Sequence, residues 1–374
     1  MRIFFIVALL FYALSYIYIG QRLIFLVKVK FPYHYFVYTF CLFCLVLSAA
    51  VFLGRRQDNS VLTVLAPLSY VIIGVWAILI SFCFVNEIIN FIVIIGHRVF
   101  KNTFPVKNFR FYSTMICFIL AAVSSIWSII NVGMILRVRE VDISVPELKI
   151  PSLRIAEISD VHINTFTRPE EIRAIFDKVM LLHADMIVLV GDIIDTDIVK
   201  DDMYKAYGFD RLQAKYGVFA VSGNHDYYTG IKTFAALCEK NNITMLDDDV
   251  LLVKNIINVA GINDINWNKE EFIQDTISRS DKNYPVLFLN HRPESFNTVQ
   301  TMDHHKIIQL SGHTHAGQIP PVEIVRRFFM DYNYGLYEKG SAVMYVSSGV
   351  RWWGPPLRFG NMREIALITL KGNS

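Results

Sequence analysis

The segment IIQLSGHTHAGQI, residues 307–319, closes an apolar run with two histidines, His313 and His315, on either side of one threonine. Imidazoles bind metals and move protons near neutral pH. Four more apolar runs end in the same kind of residue. Ile158 leads to Ser159, Asp160, Val161 and His162, and Val190 leads to Gly191, Asp192 and then Asp195. Val221 leads to Ser222, Gly223, Asn224, His225 and Asp226, and Leu289 leads to Asn290 and His291. Carboxylates, imidazoles and one carboxamide, with no thiolate, suit a divalent first-row metal such as manganese, iron or zinc. A lone aspartate at a strand end is ordinarily a turn or helix cap, but five strand ends furnished alike point to one shared metal site. The D-x-H spacing of Asp160 and His162 is expected to use extended chain, in which residues i and i+2 point the same way. His313 and His315 have the same relation, although a bend after Gly312 would send them to different ions. Glycines ahead of Asp192, Asn224 and His313 let the backbone turn tightly there.

The elements that must position these groups are legible from residue 137 onward. Strands are expected at Arg154–Ile158, Met186–Val190, Val218–Val221, Asn255–Ala260, Val286–Leu289, Ile307–Leu310, Met344–Ser347 and Ile365–Leu370. Helical patterns fill Pro169–His183, Asp201–Lys215, Thr229–Asn241 and Lys269–Asp281, the first opened by proline and two glutamates. Such alternation indicates an α/β domain with strands buried on both faces. In such sheets ligands collect at the carboxyl ends of the strands, so groups spread along the chain can converge.

The front of the chain is different. Of 374 residues 53% are hydrophobic, above the ~45–50% of ordinary soluble domains, and the excess lies before residue 137. The expected organisation is therefore a helical membrane region over 1–136 and a water-soluble domain over 137–374. A bilayer core takes ~20 apolar residues in a helix. Four segments qualify: Ile3 to about Gly20 or on to Val27, Tyr35–Leu53, a third from near Val61 that could continue to Gly96 (interrupted by Asn86, Glu87 and Asn90), and Phe111–Ile135. Glu87 is read as marking the water interface. Four spans put Arg22, Lys28, Lys30, Arg98, Lys101, Lys107 and Arg110 on one side, and Arg2, Arg55, Arg56, Arg137 and Arg139 on the other. The positive-inside rule then leaves both termini and the soluble domain outside the cytoplasm, unless the third segment is two elements, which would reverse the answer. Cys41, Cys44, Cys83 and Cys117 lie in apolar runs and read as packing residues, with Cys238 alone in the second part. A net charge of +3 without a basic tract indicates no nucleic-acid partner.

DVH, GDIID, GNHD, NHRP and GHTH, in this order and at these strand ends, resemble the calcineurin-like metallophosphoesterases over about Arg154 to Leu370. The tail YVSSGVRWWGPPLRFGNMREIALITL and the HAGQI after the histidines resemble the membrane-linked bacterial branch, which includes YaeI-like phosphodiesterases and hydrolases of UDP-diacylglucosamine. The resemblance implies a two-sheet β-sandwich flanked by helices, following a transmembrane region of about four helices. It implies two divalent metal ions: Asp160, His162 and His315 on the first, Asn224, His291 and His313 on the second, and Asp192 between them. His225 would lie beside the scissile phosphate, oriented by Asp195. Adjacent side chains diverge, so if Asn224 is a ligand His225 is better placed to protonate a leaving oxygen. The implied activity is hydrolysis of a phosphodiester or pyrophosphate. Arg351-Trp352-Trp353 departs from relatives, which carry smaller residues before the tryptophan, and bears on substrate preference. The stretch Ile319–Gly335 sets Phe328, Phe329 and Met330 beside Arg326 and Arg327, a composition suited to a membrane interface. It favours a lipid or cell-envelope phosphoester. The alternatives are a soluble nucleotide or small diester, and a non-catalytic receptor or scaffold with a relic metal site.

Overall fold

The computed structural model describes residues 2–28, 33–54, 60–101, 103–134, 136–164, 167–195, 203–302, 306–320, 328–360 and 362–373. The chain divides into two compact units, one of Met1–Asn131 with Gly354–Phe359 and Ile319–Pro321, the other of the remaining residues.

The first unit is built from α1 (Arg2–Val27), α2 (His34–Gly54), α3 (Ser60–Phe100) and α4 (Val106–Gly133). Among the described residues three helices are long and apolar enough to cross a membrane, within Leu10–Val27, Leu65–Phe100 and Val106–Gly133. The third apolar segment is one continuous helix and not two elements. At 1.5 Å per residue its 41 residues span ~60 Å, about twice a bilayer core. Its polar residues do not break it because each finds a partner. Asn86 donates to Thr114 on α4 (3.3 Å) and Asn90 to the Asn86 carbonyl one turn back (2.9 Å). Glu87 pairs with Arg22 of α1 and accepts from Tyr18 (2.7 Å). Tyr16 stacks on Trp76 with centroids 3.6 Å apart. The four cysteines of this unit are buried, form no disulfide and pack in one apolar cluster, where Cys117 Sγ donates to Cys83 Sγ (3.7 Å). Gly354–Phe359 joins it through Asn131, which donates to the Arg358 carbonyl (2.9 Å), and through Leu357, buried with Ile78 and Ala121.

The second unit is a sandwich of two mixed six-stranded sheets. In chain order its elements are β1 (Arg137–Ser144), β2 (Ser152–Ile158), α5 (Pro169–Met180), β3 (Met186–Val190), α6 (Met203–Tyr207), β4 (Val218–Val221), α7 (Asn224–Lys240), β5 (Thr244–Met245), β6 (Asp249–Val253), β7 (Ile257–Gly261), α8 (Glu270–Ser278), β8 (Val286–Leu289), α9 (Phe296–Val299), β9 (Ile307–Ser311), β10 (Gly335–Lys339), β11 (Ala342–Val346) and β12 (Glu364–Lys371). The sheets run β1-β12-β2-β3-β4-β5 and β10-β11-β9-β8-β7-β6.

Successive side chains on a strand face opposite ways, and that alternation builds the layers. Val188 and Val190 of β3 join Ile155, Leu287, Ile308 and Leu310 between the sheets. Ile187 and Leu189 face outward under Ile172, Phe176, Phe234 and Leu237 of α5 and α7. The second sheet is covered in the same way by Ile273 and Ile277 of α8 and Phe296 of α9. A central strand buried on both faces must be a continuous apolar run, which is why β3, β4 and β8 fall where expected.

The differences lie at edges and glycines. β1, β5, β6 and β10 are absent from the sequence expectation, and all are edge strands: β1 and β10 carry charged residues on their exposed side, β5 has two residues, and the apolar run of β6 is half exposed. The helix expected over Asp201–Lys215 is the short α6 followed by a single 3-10 turn at Phe209–Arg211, because Gly208 takes φ 81° between them. The helix expected from Thr229 starts at Asn224 and kinks at Gly230, whose φ is 121°.

Candidate metal centre

All five furnished strand ends lie at one rim of the sandwich. β2, β3 and β4 are adjacent and parallel in the first sheet, as are β8 and β9 in the second. The chain beyond β2 runs on beside the chain beyond β3: Asp160 N–H donates to the Gly191 carbonyl (3.1 Å) and His162 N–H to the Asp192 carbonyl (2.9 Å). Asp160, His162 and His315 bring ligand atoms within 4.8 Å of one another, as do Asp192, His291 and His313, and also His162, Asp192 and His225. His313 and His315 thus separate into different groups, as a bend after Gly312 would require.

The expectation of extended chain at D-x-H is corrected. Asp160 has φ 56° and His162 φ 49°, both left-handed, and Asp192 (54°), His313 (70°) and His315 (48°) share that region. Extended backbone would have carried the chain past the rim; a left-handed residue turns it back and aims the side chain inward. Such conformations cost ~1–3 kcal/mol each in residues with a Cβ, and they persist only where surrounding structure imposes them. The glycines matter because the turns are crowded. A Cβ on Gly223 would come within 2.2 Å of Asp192 Oδ1, and one on Gly191, itself at φ 75°, within 2.6 Å of the His291 ring.

Most ligand candidates are held by a second group. Asp195 Oδ1 accepts from His162 Nδ1 (2.7 Å) and lies 2.9 Å from His225 Nδ1. A carboxylate only accepts, so both rings carry their proton on Nδ1 and present Nε2. The sequence expectation gives Asp195 to His225 alone; the structure has it serve both rings. His291 Nδ1 donates to the Val190 carbonyl (2.8 Å), again leaving Nε2 toward the centre. His313 N–H reaches both oxygens of Asp160 (3.2 and 3.3 Å), and His225 N–H donates to Asp192 Oδ1 (2.9 Å).

The inward atoms need a cation. His162 Nε2 faces His315 Nε2 at 3.0 Å, and His315 Nε2 is 3.3 Å from Asp160 Oδ1. Asp192 Oδ2 lies 3.1 Å from His291 Nε2 and 3.8 Å from His162 Nε2. The buried Asn224 Oδ1 has no hydrogen-bond partner, a costly state for a carboxamide oxygen. Protons meet part of the need in the metal-free chain. Burial works against charge on His162 and His291, yet Asp195, Asp192 and Asp160 outweigh it and push the rings up to about 9 and about 10. Burial likewise pushes Asp192 up, but His291, His162 and His225 hold it well below the usual carboxylate range. Bound divalent metal would displace these protons. The donor set, the converging ligand atoms and the orphaned Asn224 oxygen fit bound divalent metal.

Two residues outside the sequence-predicted set complete the arrangement. Asp226, the last letter of GNHD, accepts from Ile193 N–H (2.9 Å), Ile194 N–H (2.8 Å) and Gly223 N–H (2.8 Å), tying the two turns together. Burial, then Asp192, pushes its carboxyl up to about 7. Arg351, which the sequence assigns to substrate preference, is instead buried beneath the D-x-H turn. Its Nη1 donates to the Val161 and His162 carbonyls (2.8 and 3.0 Å) and to Thr167 Oγ1 (3.1 Å), and Glu171 pairs with its other face (3.3 Å). The motif spelling could have flagged Asp226. Nothing local could have linked Arg351 to Val161.

Residues 153–317 match the family model described as calcineurin-like phosphoesterase. The chain is 30% identical over 380 residues to an uncharacterized metallophosphoesterase of Campylobacter jejuni, covering 99% of this chain and 98% of that one. It is 32% identical over 224 residues to one of Helicobacter pylori, covering 58% and 60%. A Danio rerio transmembrane protein with metallophosphoesterase domain is 27% identical over 325 residues, 82% of this chain and 74% of the relative.

Arg351→Met would leave the buried Val161 carbonyl without its donor and take from Glu171 the nearer of its two arginine partners, a loss of roughly 1–3 kcal/mol. Thermal denaturation should show a lower Tm, and metal analysis should show less bound metal than in the wild type. Wild-type Tm with wild-type metal content would refute the clamp.

Proposed function

This chain belongs to the calcineurin-like metallophosphoesterases and is a metal-dependent phosphoesterase; from that premise we propose that it is a membrane-anchored, dinuclear hydrolase of a phosphodiester or pyrophosphate bond in a lipid or cell-envelope substrate. The observation that carries the two-ion reading is the position of Asp192 Oδ2, between His291 on one side and His162 on the other. Manganese, iron or zinc, when bound, would supply an acidified water and neutralise charge on the phosphoryl oxygens. Asp160, His162 and His315 are proposed to hold one ion, Asn224, His291 and His313 the other, and Asp192 both. His225, fixed by Asp195 with Nε2 outward, is proposed to give its proton to the departing oxygen.

His225→Ala should keep both ions by metal analysis and lose roughly 10²- to 10⁴-fold in turnover of a chromogenic diester. Asp192→Ala should lose metal and activity together, and a chelator should silence the wild type until manganese is restored. If His225→Ala purifies without metal, the histidine is a ligand and its assigned role is wrong.

The lipid preference rests on Phe328 and Phe329, which are 80% and 83% exposed; Arg326 and Arg327 lie outside the described residues. Burying one such ring in an apolar phase is worth ~1.5–3 kcal/mol, about a tenfold or larger effect. Phe328→Asp with Phe329→Asp should therefore lower hydrolysis of a micellar lipid diester at least ~10-fold more than that of a soluble nitrophenyl diester. Equal losses on both would count against a lipid-facing lip.

The anchoring is proposed to be multi-pass in a bacterial membrane. If α2, whose described apolar part is the shorter His34–Ser48, crosses along with the three longer helices, the number of spans is even and the basic residues of the connections favour a catalytic domain outside the cytoplasm. A carboxyl-terminal reporter active only outside the cytoplasm should be active in whole cells; a silent, full-length fusion would reverse the orientation.

A further inference from the structure

The ligand candidates are buried, yet the ring that is proposed to move the proton has exposed aromatic neighbours. Tyr228 is 76% exposed and Trp353 is 47% exposed. Each meets the His225 ring edge-on, with centroids 5.9 Å away and planes inclined at 61° and 71°. They come from different parts of the chain, Tyr228 from the start of α7 and Trp353 from the loop between β11 and β12.

Trp353 is held there. Its N–H donates to Gln318 Oε1 (2.9 Å), and Gln318 Nε2 donates back to the Trp353 carbonyl (2.9 Å). Gln318 itself ends the turn that carries His315 and sits at φ 43°. The main chain that carries the indole is therefore tied to the side chain of Gln318, three residues beyond the ligand candidate His315. Trp352 is used differently: the guanidinium of Arg351 lies over it at 4.6 Å and that of Arg363 at 5.8 Å. One tryptophan of the pair serves the buried clamp and the other is left toward solvent.

We infer that Tyr228 and Trp353 form a platform for the leaving group, selecting phosphoesters whose departing alcohol has a flat apolar or aromatic face. The inference rests on the hydrolase reading and on the role given to His225, and not on the lipid preference. The departing oxygen must come within hydrogen-bond reach of His225 to take its proton, with the P–O bond breaking as the O–H bond forms. Whatever that oxygen carries then lies against the two solvent-exposed rings beside His225. Tyrosine and tryptophan offer large rigid faces with few rotors to freeze, and an aromatic contact is worth about 2- to 12-fold beyond simple area burial. A small polar leaving group would gain nothing from them.

The test uses the full chain in detergent, loaded with manganese, and two diesters with leaving groups of matched acidity, one aryl and one fluoroalkyl. The wild type should favour the aryl ester in kcat/KM. Tyr228→Ala and Trp353→Ala should each lower the aryl-to-fluoroalkyl ratio about 3- to 10-fold, through KM, with bound metal unchanged; Tyr228→Phe and Trp353→Phe should restore it. A ratio that stays constant while both esters suffer equally would make the rings mere supports for His225 and overturn the inference. Hydrolysis by the wild type with no aryl preference would overturn it too and leave the hydrolase reading standing. Metal-loaded wild type that cleaves neither ester would overturn both.

Discussion

Packing carboxylates and imidazoles together out of water is the constraint that shapes the rest of the catalytic unit. Asp160, Asp192 and Asp226 are buried around one centre, with Asp195 beside them. Unpaired charge in such a place costs several kcal/mol. Burial and then Glu364 push the Glu157 carboxyl well above its usual range, and nearby carboxylates, against burial, raise His162 and His291, so all three hold protons more tightly than they would in water. Protons are a poor match for the geometry, because the Nε2 atoms and carboxylate oxygens converge on points and not in pairs. Divalent cations answer the same electrostatic need with the right shape. Metal affinity and fold stability are therefore linked in this unit, since the same buried acids that weaken the apo fold create the attraction for metal.

A converging centre also demands backbone that reverses at the strand ends. Left-handed φ at Asp160, His162, Asp192, His313 and His315 is a concentrated strain, and buried polar interactions hold it in place. Asp226 binds three N–H groups of two turns; Arg351 grips two carbonyls of a third; Thr314 accepts from Ala316 N–H and donates to the Asn333 carbonyl (2.6 Å) beneath the fourth. Rigid sheets lie behind all of them, with the strands that feed the turns buried on both faces. The scaffold is thus stiff where the ligands need it.

The site is legible in the sequence for a simple reason. Ligand chemistry is written in residue type, and central strands are written as apolar runs, so each strand and the polar residues just past its end can be read locally. The sign of the backbone angle cannot. The spacing of Asp160 and His162 is the same whether the chain is extended or left-handed, and the extended expectation fails because the decisive contacts, from Gly191, Asp192 and Arg351, come from elsewhere. Edge strands such as β1 and β10 escape because half their residues face water. The helix over Asp201–Lys215 fails at one glycine, Gly208, whose φ of 81° no helical periodicity reveals. Arg351 stands out in the sequence but suggests the wrong task, since nothing near it along the chain tells whether an arginine is buried.

Arg351, Trp352 and Trp353 together show how the chain separates chemistry from selection. Three consecutive residues serve three depths: a buried guanidinium under the D-x-H turn, an indole packed against two arginines, and an indole turned to solvent beside His225. The inner residue cannot vary without disturbing the turn that carries two ligand candidates, because its donors end on the backbone of Val161 and His162. The outer one is anchored by its own main chain to Gln318, so its side chain can change while its position does not. The same holds for Tyr228, which comes two residues after the constrained GNHD turn and is largely exposed. Relatives with the same metal ligands can therefore differ in these rings and in what they cleave, without touching the electrostatics that hold the centre together.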